Sequence, residues 1–568
     1  MVEPHEPTPP GEPGQGTEPE VLGIGLPAVA VLVAFLLTVL VATKSEPVSW
    51  ADASRLGTIQ ALAETGSLEL APDNAYFWQG DKVRFDERFY SHQPPMLALL
   101  GAVPYWLMHQ VGGEITDPWV YRLLTLSLVG IPLVTGLSML GLLLRRHGAS
   151  EAQTAWLLAG AAFGCLVLPY ALVLNQHGAA AALVLAGLLA VDRDRPLSAG
   201  FRLALATTID LTAVFFAVAL CWPLLRRAGR RGLSSLGVLV PYALGALPIL
   251  ALHFGVTYAI GGDLRPLGLH TEAFEYPLSP FVFMSLTGGG EASPDGSGLA
   301  YALGALFGQS GLFSHHPVLL WALVVGLLSL PRLPVRGRPL ALAVLAAAGG
   351  IAAYYLTQSR NFGGSSFGMR WFTVFAPALF LPAALALVAG RRLRLGLFLP
   401  LLLWSAAAAS LGAAQPWAKF HYRFEDSPQG MVARPGEPVP GRVEHWKDEW
   451  RRVTTLQGDF SRKGFDDLYQ RLMDQHQRLY LRDYAGVPEA EQRVWIEGGL
   501  SKLQRAVDLL DRANLNVPSR AVGHFWLGRF HQRLGDRVAA KREYELTLAL
   551  DPGYVWAERA LSKLNQAD

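Results

Sequence analysis

Four stretches of this chain combine residue types that could do chemistry. The first reads Trp50-Ala51-Asp52-Ala53-Ser54-Arg55 and follows an apolar run directly. A carboxylate there, about a turn beyond a membrane, can act as general base toward a hydroxyl. The alternative is a helix N-terminal aspartate favoured by the macrodipole. The second is Ser91-His92-Gln93-Pro94-Pro95, where two prolines stop one element and can start the next helix. It is either a simple loop-to-helix junction or a place where His92 and Gln93 meet a polar headgroup. The third is Asn175-Gln176-His177 ahead of Gly178 and an alanine-rich run. A polar triplet at the end of an apolar helix either caps it at the interface or lines a cavity. The fourth runs from Ser359 to Trp371 and holds three glycines and two serines between Arg360 and Arg370. Its glycines let backbone approach a ligand closely, and arginine is suited to bidentate phosphate binding. The alternative is a flexible hairpin with interfacial arginines.

These stretches are positioned by an apolar framework. Of 568 residues, 51% are hydrophobic and 17% charged. The charges are sparse from 21 to 414 and dense from 415 to 568, which predicts one membrane region followed by one soluble region. Residues 1–20, rich in Pro, Gly and Glu, predict a disordered cytoplasmic tail. Apolar runs at 21–43, 119–144, 154–170, 177–191, 234–259, 315–330, 339–357, 371–389 and 395–414 read as spans. Basic loops at Arg145-Arg146, Arg193/Arg195, Arg226–Arg231, Arg332–Arg338 and Arg391–Arg394 fall on one side on two conditions. Segment 94–111 must lie along the outer surface, and 203–225 must form a two-legged hairpin with Asp210 near its turn. That gives about 11 membrane segments, a cytoplasmic N-terminus and an extracytoplasmic C-terminus. The four chemical stretches then collect on the outer face.

Composition and motifs exclude several classes. No basic tract with interleaved aromatics points to nucleic acid. No Walker-type loop, His-Glu-x-x-His or Gly-x-Ser-x-Gly appears. Cys165 and Cys221 sit in apolar runs and predict buried thiols without a disulfide framework. His315-His316, adjacent on one helix, make a weak zinc site.

The ordered set resembles the GT-C class of polytopic glycosyltransferases, near the family-39 protein mannosyltransferases and the bacterial aminoarabinose transferases. The segments carrying the resemblance are Asp52-Ala53-Ser54-Arg55 with the helix Ala61 to Glu64, Ser91-His92-Gln93-Pro94-Pro95, Asn175-Gln176-His177-Gly178-Ala179-Ala180, and Gly363-Gly364-Ser365-Ser366-Phe367-Gly368-Met369-Arg370-Trp371. They cover about 20–390. The resemblance implies an all-α fold, with a GT-C-like membrane domain over 21–414. It implies transfer of sugar, with inversion, from a polyprenyl-phosphate carrier to a hydroxyl acceptor. Asp52 would be the general base. Arg370, with Arg360, would hold the lipid phosphate, and Arg55, His92, Gln93 and His177 would contact substrate. Many members carry Asp-Glu in the first outer loop; here Ala53 stands second. No metal ligand is assigned, and a divalent metal is left open as cofactor.

Residues 415–488 read as a polar linker with helices. Over 489–568 a 34-residue spacing links Pro518 to Pro552 and Ala506 to Ala540, which looks like tetratricopeptide repeats: one good unit and one degenerate. Such a soluble helical repeat domain would bind a protein partner or pack as an appendage. The competing functions are a transporter without catalysis and a lipid-binding or assembly scaffold. A transporter would show repeated halves and midplane charges; here no half repeats and the ionisable residues gather at one face.

Overall fold

A computed structural model describes residues 23–414 with breaks at 48, 72, 78–80, 87, 231–233, 275–297, 309–310, 334–336, 360–362, 364–365 and 389–394, then 416–417, 500, 504, 507 and 517–566 apart from 553. Arg360, the tail 1–20 and nearly all of the 415–488 linker therefore lie outside the described residues.

The described chain is helical apart from one hairpin. The elements are α1 (Leu26–Ala42), α2 (Trp50–Thr65), β1 (Lys82–Phe85), β2 (Arg88–Ser91), α3 (Met96–Gln110), α4 (Pro118–Thr125), α5 (Ile131–Arg146), α6 (Glu151–Phe163), α7 (Val167–Tyr170), α8 (Gln176–Asp192), α9 (Pro196–Ile209), α10 (Val214–Ala219), α11 (Cys221–Arg230), α12 (Ser235–Gly261), α13 (Gly298–Phe307), α14 (Leu312–His315), α15 (Pro317–Ser329), α16 (Arg338–Gln358), α17 (Phe380–Val388) and α18 (Leu395–Ala414). Beyond the linker come α19 (Val517–Arg533), α20 (Arg537–Leu550) and α21 (Val555–Gln566).

Five helices are long and apolar enough to cross a membrane, or up to six if the pair bent by 95° at His316 is one span. Three shorter apolar helices accompany them, including α1 and α8. Many of the predicted spans are shorter or broken. The run 21–43 becomes the 17-residue α1. The run 371–389 opens as 3-10 turns at Arg370–Val374 and Ala376–Leu379 before α17. The predicted 203–225 hairpin has longer legs: α9 begins at Pro196, and an apolar helix follows from Leu211 to Gly229. Asp210 sits at the break, as expected, and caps the next turn by accepting from Thr212 N–H.

Packing follows sequence spacing. On α1 the buried residues are Ala28, Leu32, Phe35 and Val39, one face of a 3.6-residue period, and Phe35 meets Phe163 of α6 edge-on at 5.5 Å. The α9–α12 crossing is tighter. A Cβ on Gly200 would stand 1.9 Å from the Tyr242 carbonyl oxygen, and one on Gly245 2.0 Å from that of Leu197. Only glycine lets these backbones touch.

Charge divides the bundle into two ends. At one end Asp192 Oδ2 accepts from Arg146 Nε at 2.8 Å, while its Oδ1 lies 3.1 Å from both His147 Nε2 and an Arg227 nitrogen. These three partners close α5 and α11 onto the C-terminus of α8. Gly337 lies beside the His147 ring and Gly148 beside Val388, which brings Gly337 and the end of α17 to the same end. Among the described residues, the basic loops at Arg145-Arg146, Arg193/Arg195, Arg226–Arg230 and Arg332–Arg338 thus share it, and Arg391–Arg394 lie outside the described residues. At the other end the Lys44 ammonium donates to the Ala414 carbonyl at 2.7 Å, joining the exits of α1 and α18.

That second end carries α2, the β-hairpin and α3. The hairpin, registered Lys82 to Ser91 and Phe85 to Arg88, departs from the all-α expectation. It is only four residues a side, too short to show against the surrounding loop. Helix α3 packs on α2 and exposes Leu100, Val103, Trp106 and Leu107, an apolar stripe suited to a membrane surface. In the C-terminal region α19 and α20 form a helix–turn–helix about Gly535, whose φ of 79° suits the turn. Gly528 of α19 packs on the Tyr544 ring of α20. The preceding repeat unit falls mostly outside the described residues.

Candidate functional site

Asp52 occupies the first turn of α2. Ser49 caps that helix by accepting from the Asp52 N–H at 3.1 Å, so the helix start does not use the aspartate side chain. The carboxylate turns inward and is fully buried. Its Oδ2 accepts from the Tyr121 hydroxyl at 3.2 Å and from the Trp417 indole N–H at 3.1 Å. Its Oδ1 is buried without a hydrogen-bond partner. A mere N-terminal aspartate would face solvent and backbone N–H groups; this one faces the Tyr121 hydroxyl and the Trp417 indole.

One residue-turn along α2 lies Arg55, also buried. Its guanidinium donates to the carbonyls of Ala51 and Leu174 and, at 2.7 Å, to Gln93 Oε1. Gln93 Nε2 in turn reaches Asp81 Oδ2 at 3.2 Å and lies 2.8 Å from His92 Nε2. Asp81 is further tied to α2, because the Ser54 hydroxyl donates to its carbonyl at 2.8 Å. The Ser91-to-Pro95 junction is thus more than a loop end: it links α2 to Asp81.

Arg370 comes from the other side. Its guanidinium carbon sits 4.9 Å from the centre of the Trp417 ring, a cation–π contact. Its Nε is buried without a partner. The loop before it folds by two left-handed glycines, Gly363 at φ 94° and Gly368 at φ 61°. Phe367 N–H donates to the Pro416 carbonyl at 2.9 Å, and the Tyr170 hydroxyl donates to the Phe367 carbonyl at 2.7 Å. The Arg370 charge is felt by Arg55, Asp81 and His177, so these groups lie within electrostatic reach of it. His177, at the start of α8, pairs its Nδ1 with Asp210 Oδ2 at 2.5 Å.

The electrostatics fit acid–base work. Burial pushes the Asp52 carboxyl up to about 6, against the pull of Arg55 and its hydrogen bonds. Burial pulls Arg55 down to about 10, with Asp52 and Asp81 opposing. Burial alone would raise Asp81, but His92, Arg370 and Arg55 together hold it below the usual carboxylate range. One carboxyl poised near neutrality therefore shares Arg55 with one held below the usual carboxylate range. Asp52 Oδ1, Arg55 Nε and Arg370 Nε are each buried and unpartnered, an arrangement that calls for a polar ligand.

Of the seven residues singled out by sequence, Asp52 and Arg370 meet on Trp417, Arg55, Gln93 and His92 form one polar chain, and His177 lies within electrostatic reach of Arg370 and Arg55. Arg360 lies outside the described residues. Sequence reasoning missed Asp81, Tyr121 and Trp417, and used Asp210 only as a turn. Trp417 carried a signal: a tryptophan just past the last apolar helix, where an indole sits at membrane depth. Asp81, among irregular loop residues, carried none.

The donor set around Asp52 does not suit a divalent cation. One carboxylate oxygen is taken by two donors, and guanidinium groups supply positive charge nearby. The described residues do bring Glu64, His109 and Glu114 together, with ligand atoms within 4.8 Å of one another. That trio lies at the far end of α2, about 18 Å along the helix from Asp52.

No family model matches the sequence, and no curated protein matches it.

Proposed function

We propose that this chain is a membrane glycosyltransferase of the GT-C kind, moving a sugar from a polyprenyl-phosphate carrier to a hydroxyl acceptor on the extracytoplasmic face. The observation that carries this reading is the meeting of Asp52 and Arg370 on Trp417, at the end of the bundle opposite the Asp192 cluster of basic residues. Basic loops mark the cytoplasmic side, so the site faces out, away from ATP and nucleotide-sugars. A donor there must arrive in the membrane.

In the proposed reaction Asp52 Oδ1 takes the proton of the acceptor hydroxyl as its oxygen bonds the anomeric carbon from the face opposite the phosphate. The bond from that carbon to the phosphate oxygen breaks, and its electron pair leaves with the lipid phosphate. Inversion follows from the single displacement. Arg370 and Arg55 stabilise the charge that develops on the leaving phosphate. Asp81, through Gln93, holds Arg55 in place. His177, fixed by Asp210, and His92 line the sugar's surroundings.

The same reading takes the eleven apolar segments as crossings, with α9 and the following helix as the two legs of the hairpin, and α3 as a surface helix. On the alanine-, arginine- and leucine-rich style of the sequence, the host membrane is a bacterial inner membrane. The C-terminal helices form a tetratricopeptide-like domain on the outer side that binds a protein partner.

The test is release of free polyprenyl phosphate when the full chain, in proteoliposomes, is given polyprenyl-phosphate-linked sugars and a host membrane extract as acceptor. Release that disappears in Asp52→Asn supports the reading. A scaffold or transporter would release none, with or without Asp52.

A further inference from the structure

Resting on that reading, we infer that Trp417 is a positioning residue of the site: its indole N–H orients the Asp52 carboxylate and its ring holds the Arg370 guanidinium, so the chain just beyond α18 completes a site begun by α2.

A tryptophan after an apolar helix ordinarily anchors that helix at the membrane interface, with its N–H among headgroups and water. Trp417 does something different. Its N–H ends on a buried carboxylate oxygen at 3.1 Å. An indole nitrogen donates one hydrogen bond and accepts none, so this contact spends the residue's whole polar capacity on Asp52. Together with the Tyr121 hydroxyl it puts two donors on Oδ2. The carboxylate plane is thereby fixed, and Oδ1 is left as the oxygen free to take a proton.

The platform itself is held. The Pro416 carbonyl accepts the Phe367 N–H at 2.9 Å, and the Tyr170 hydroxyl, whose proton goes to the Phe367 carbonyl, lies 3.3 Å from the Pro416 oxygen. The Tyr170 and Trp417 rings meet edge-on at 5.8 Å. Residues 416–417 are thus stitched to α7 and to the glycine-rich loop that delivers Arg370. The ring then shields Arg370 on one face while its edges remain for a phosphate. The charged and titratable groups about Asp52 are Arg55 on its own helix, Tyr121 from α4, Tyr170 from α7 and, across the indole, Arg370. Trp417 touches both Asp52 and Arg370.

The inference separates two substitutions. Trp417→Phe keeps a ring for Arg370 and removes the N–H; Trp417→Leu removes both. In the full chain in nanodiscs, the Asp52 carboxyl titration can be read as the infrared carbonyl band that Asp52→Asn abolishes. Losing a donor to the charged form should raise its midpoint by about half a pH unit or more in both variants. Affinity for polyprenyl phosphate alone should stay near wild type in Trp417→Phe and fall several-fold in Trp417→Leu. Trp417→Phe, closest in shape, serves as the folding control through its elution profile and thermal midpoint. An unchanged Asp52 midpoint in both variants, or equal lipid phosphate affinity in both, would overturn the inference while leaving a sugar transfer that needs Asp52 intact. Conversely, shifted midpoints with no transfer from any donor would retain Trp417's positioning effect and remove the glycosyltransferase reading.

Discussion

Asp52 and Arg370, contributed by opposite ends of the apolar part of the chain, meet on the two sides of one indole. Trp417 donates its N–H to Asp52 Oδ2 at 3.1 Å and carries the Arg370 guanidinium over its ring at 4.9 Å. On the proposed reading these two groups are the general base and the cation for the lipid phosphate.

Asp52→Asn should cost about 10²–10⁴-fold in turnover, the usual contribution of a general base. The amide can still accept from Tyr121 and Trp417, so polyprenyl phosphate should bind as before. Single-turnover release of the lipid phosphate measures the first and native mass spectrometry the second.

Activity should rise with pH along an acidic limb centred near 6, because Asp52 works as the carboxylate and burial raises it to about that value. Stability should move the opposite way. A carboxyl whose folded value is raised from 3.8 contributes stability that is full below about 4 and lost as pH rises through about 6. Asp52→Asn should therefore raise the thermal midpoint relative to wild type at pH 8 and make little difference at pH 4. Paired melting curves at the two pH values check this.

Arg370→Lys should weaken polyprenyl phosphate binding about tenfold, and Arg370→Ala further. A planar fork that lies on an indole and grips two oxygens is not replaced by a point charge. The measurement is lipid phosphate affinity in nanodiscs, with unlabelled phospholipid as competitor.

At the other end of the molecule, Asp192→Asn should destabilise without touching the site. The carboxylate is 2% exposed and serves Arg146, His147 and Arg227 at once. Removing its charge leaves the part-buried Arg146 and Arg227 guanidinium groups without a counter-charge, at a cost of about 1–2 kcal/mol. The thermal midpoint should fall by several degrees while affinity for polyprenyl phosphate is unchanged.

How much of this could be read from the sequence depended on whether a signal was periodic or tertiary. Long apolar runs and clustered arginines are visible without a structure, so the segregation of basic loops from chemical stretches was legible. So was the break at Asp210, an acid inside an apolar stretch. The lengths of α1 and α17 were not, since the chain turns into irregular or 3-10 backbone where packing against neighbours demands it. The convergence of Asp52, Gln93 and Arg370 followed from alternation of chain direction. Their bridges did not: Asp81 lies in an unpatterned loop, and Tyr121 and Trp417 reach Asp52 only through helix packing. The short strand pair escaped because four residues a side give no detectable alternation.

The most direct measurement is a cryo-electron microscopy structure of the full chain in nanodiscs containing a polyprenyl phosphate. The account predicts phosphate density on the Arg370 guanidinium, with the Asp52 carboxylate on the sugar side of it and the isoprenoid tail leaving between apolar helices at that end. Phosphate density seated away from Arg370, or at the Asp192 end of the bundle, would contradict it.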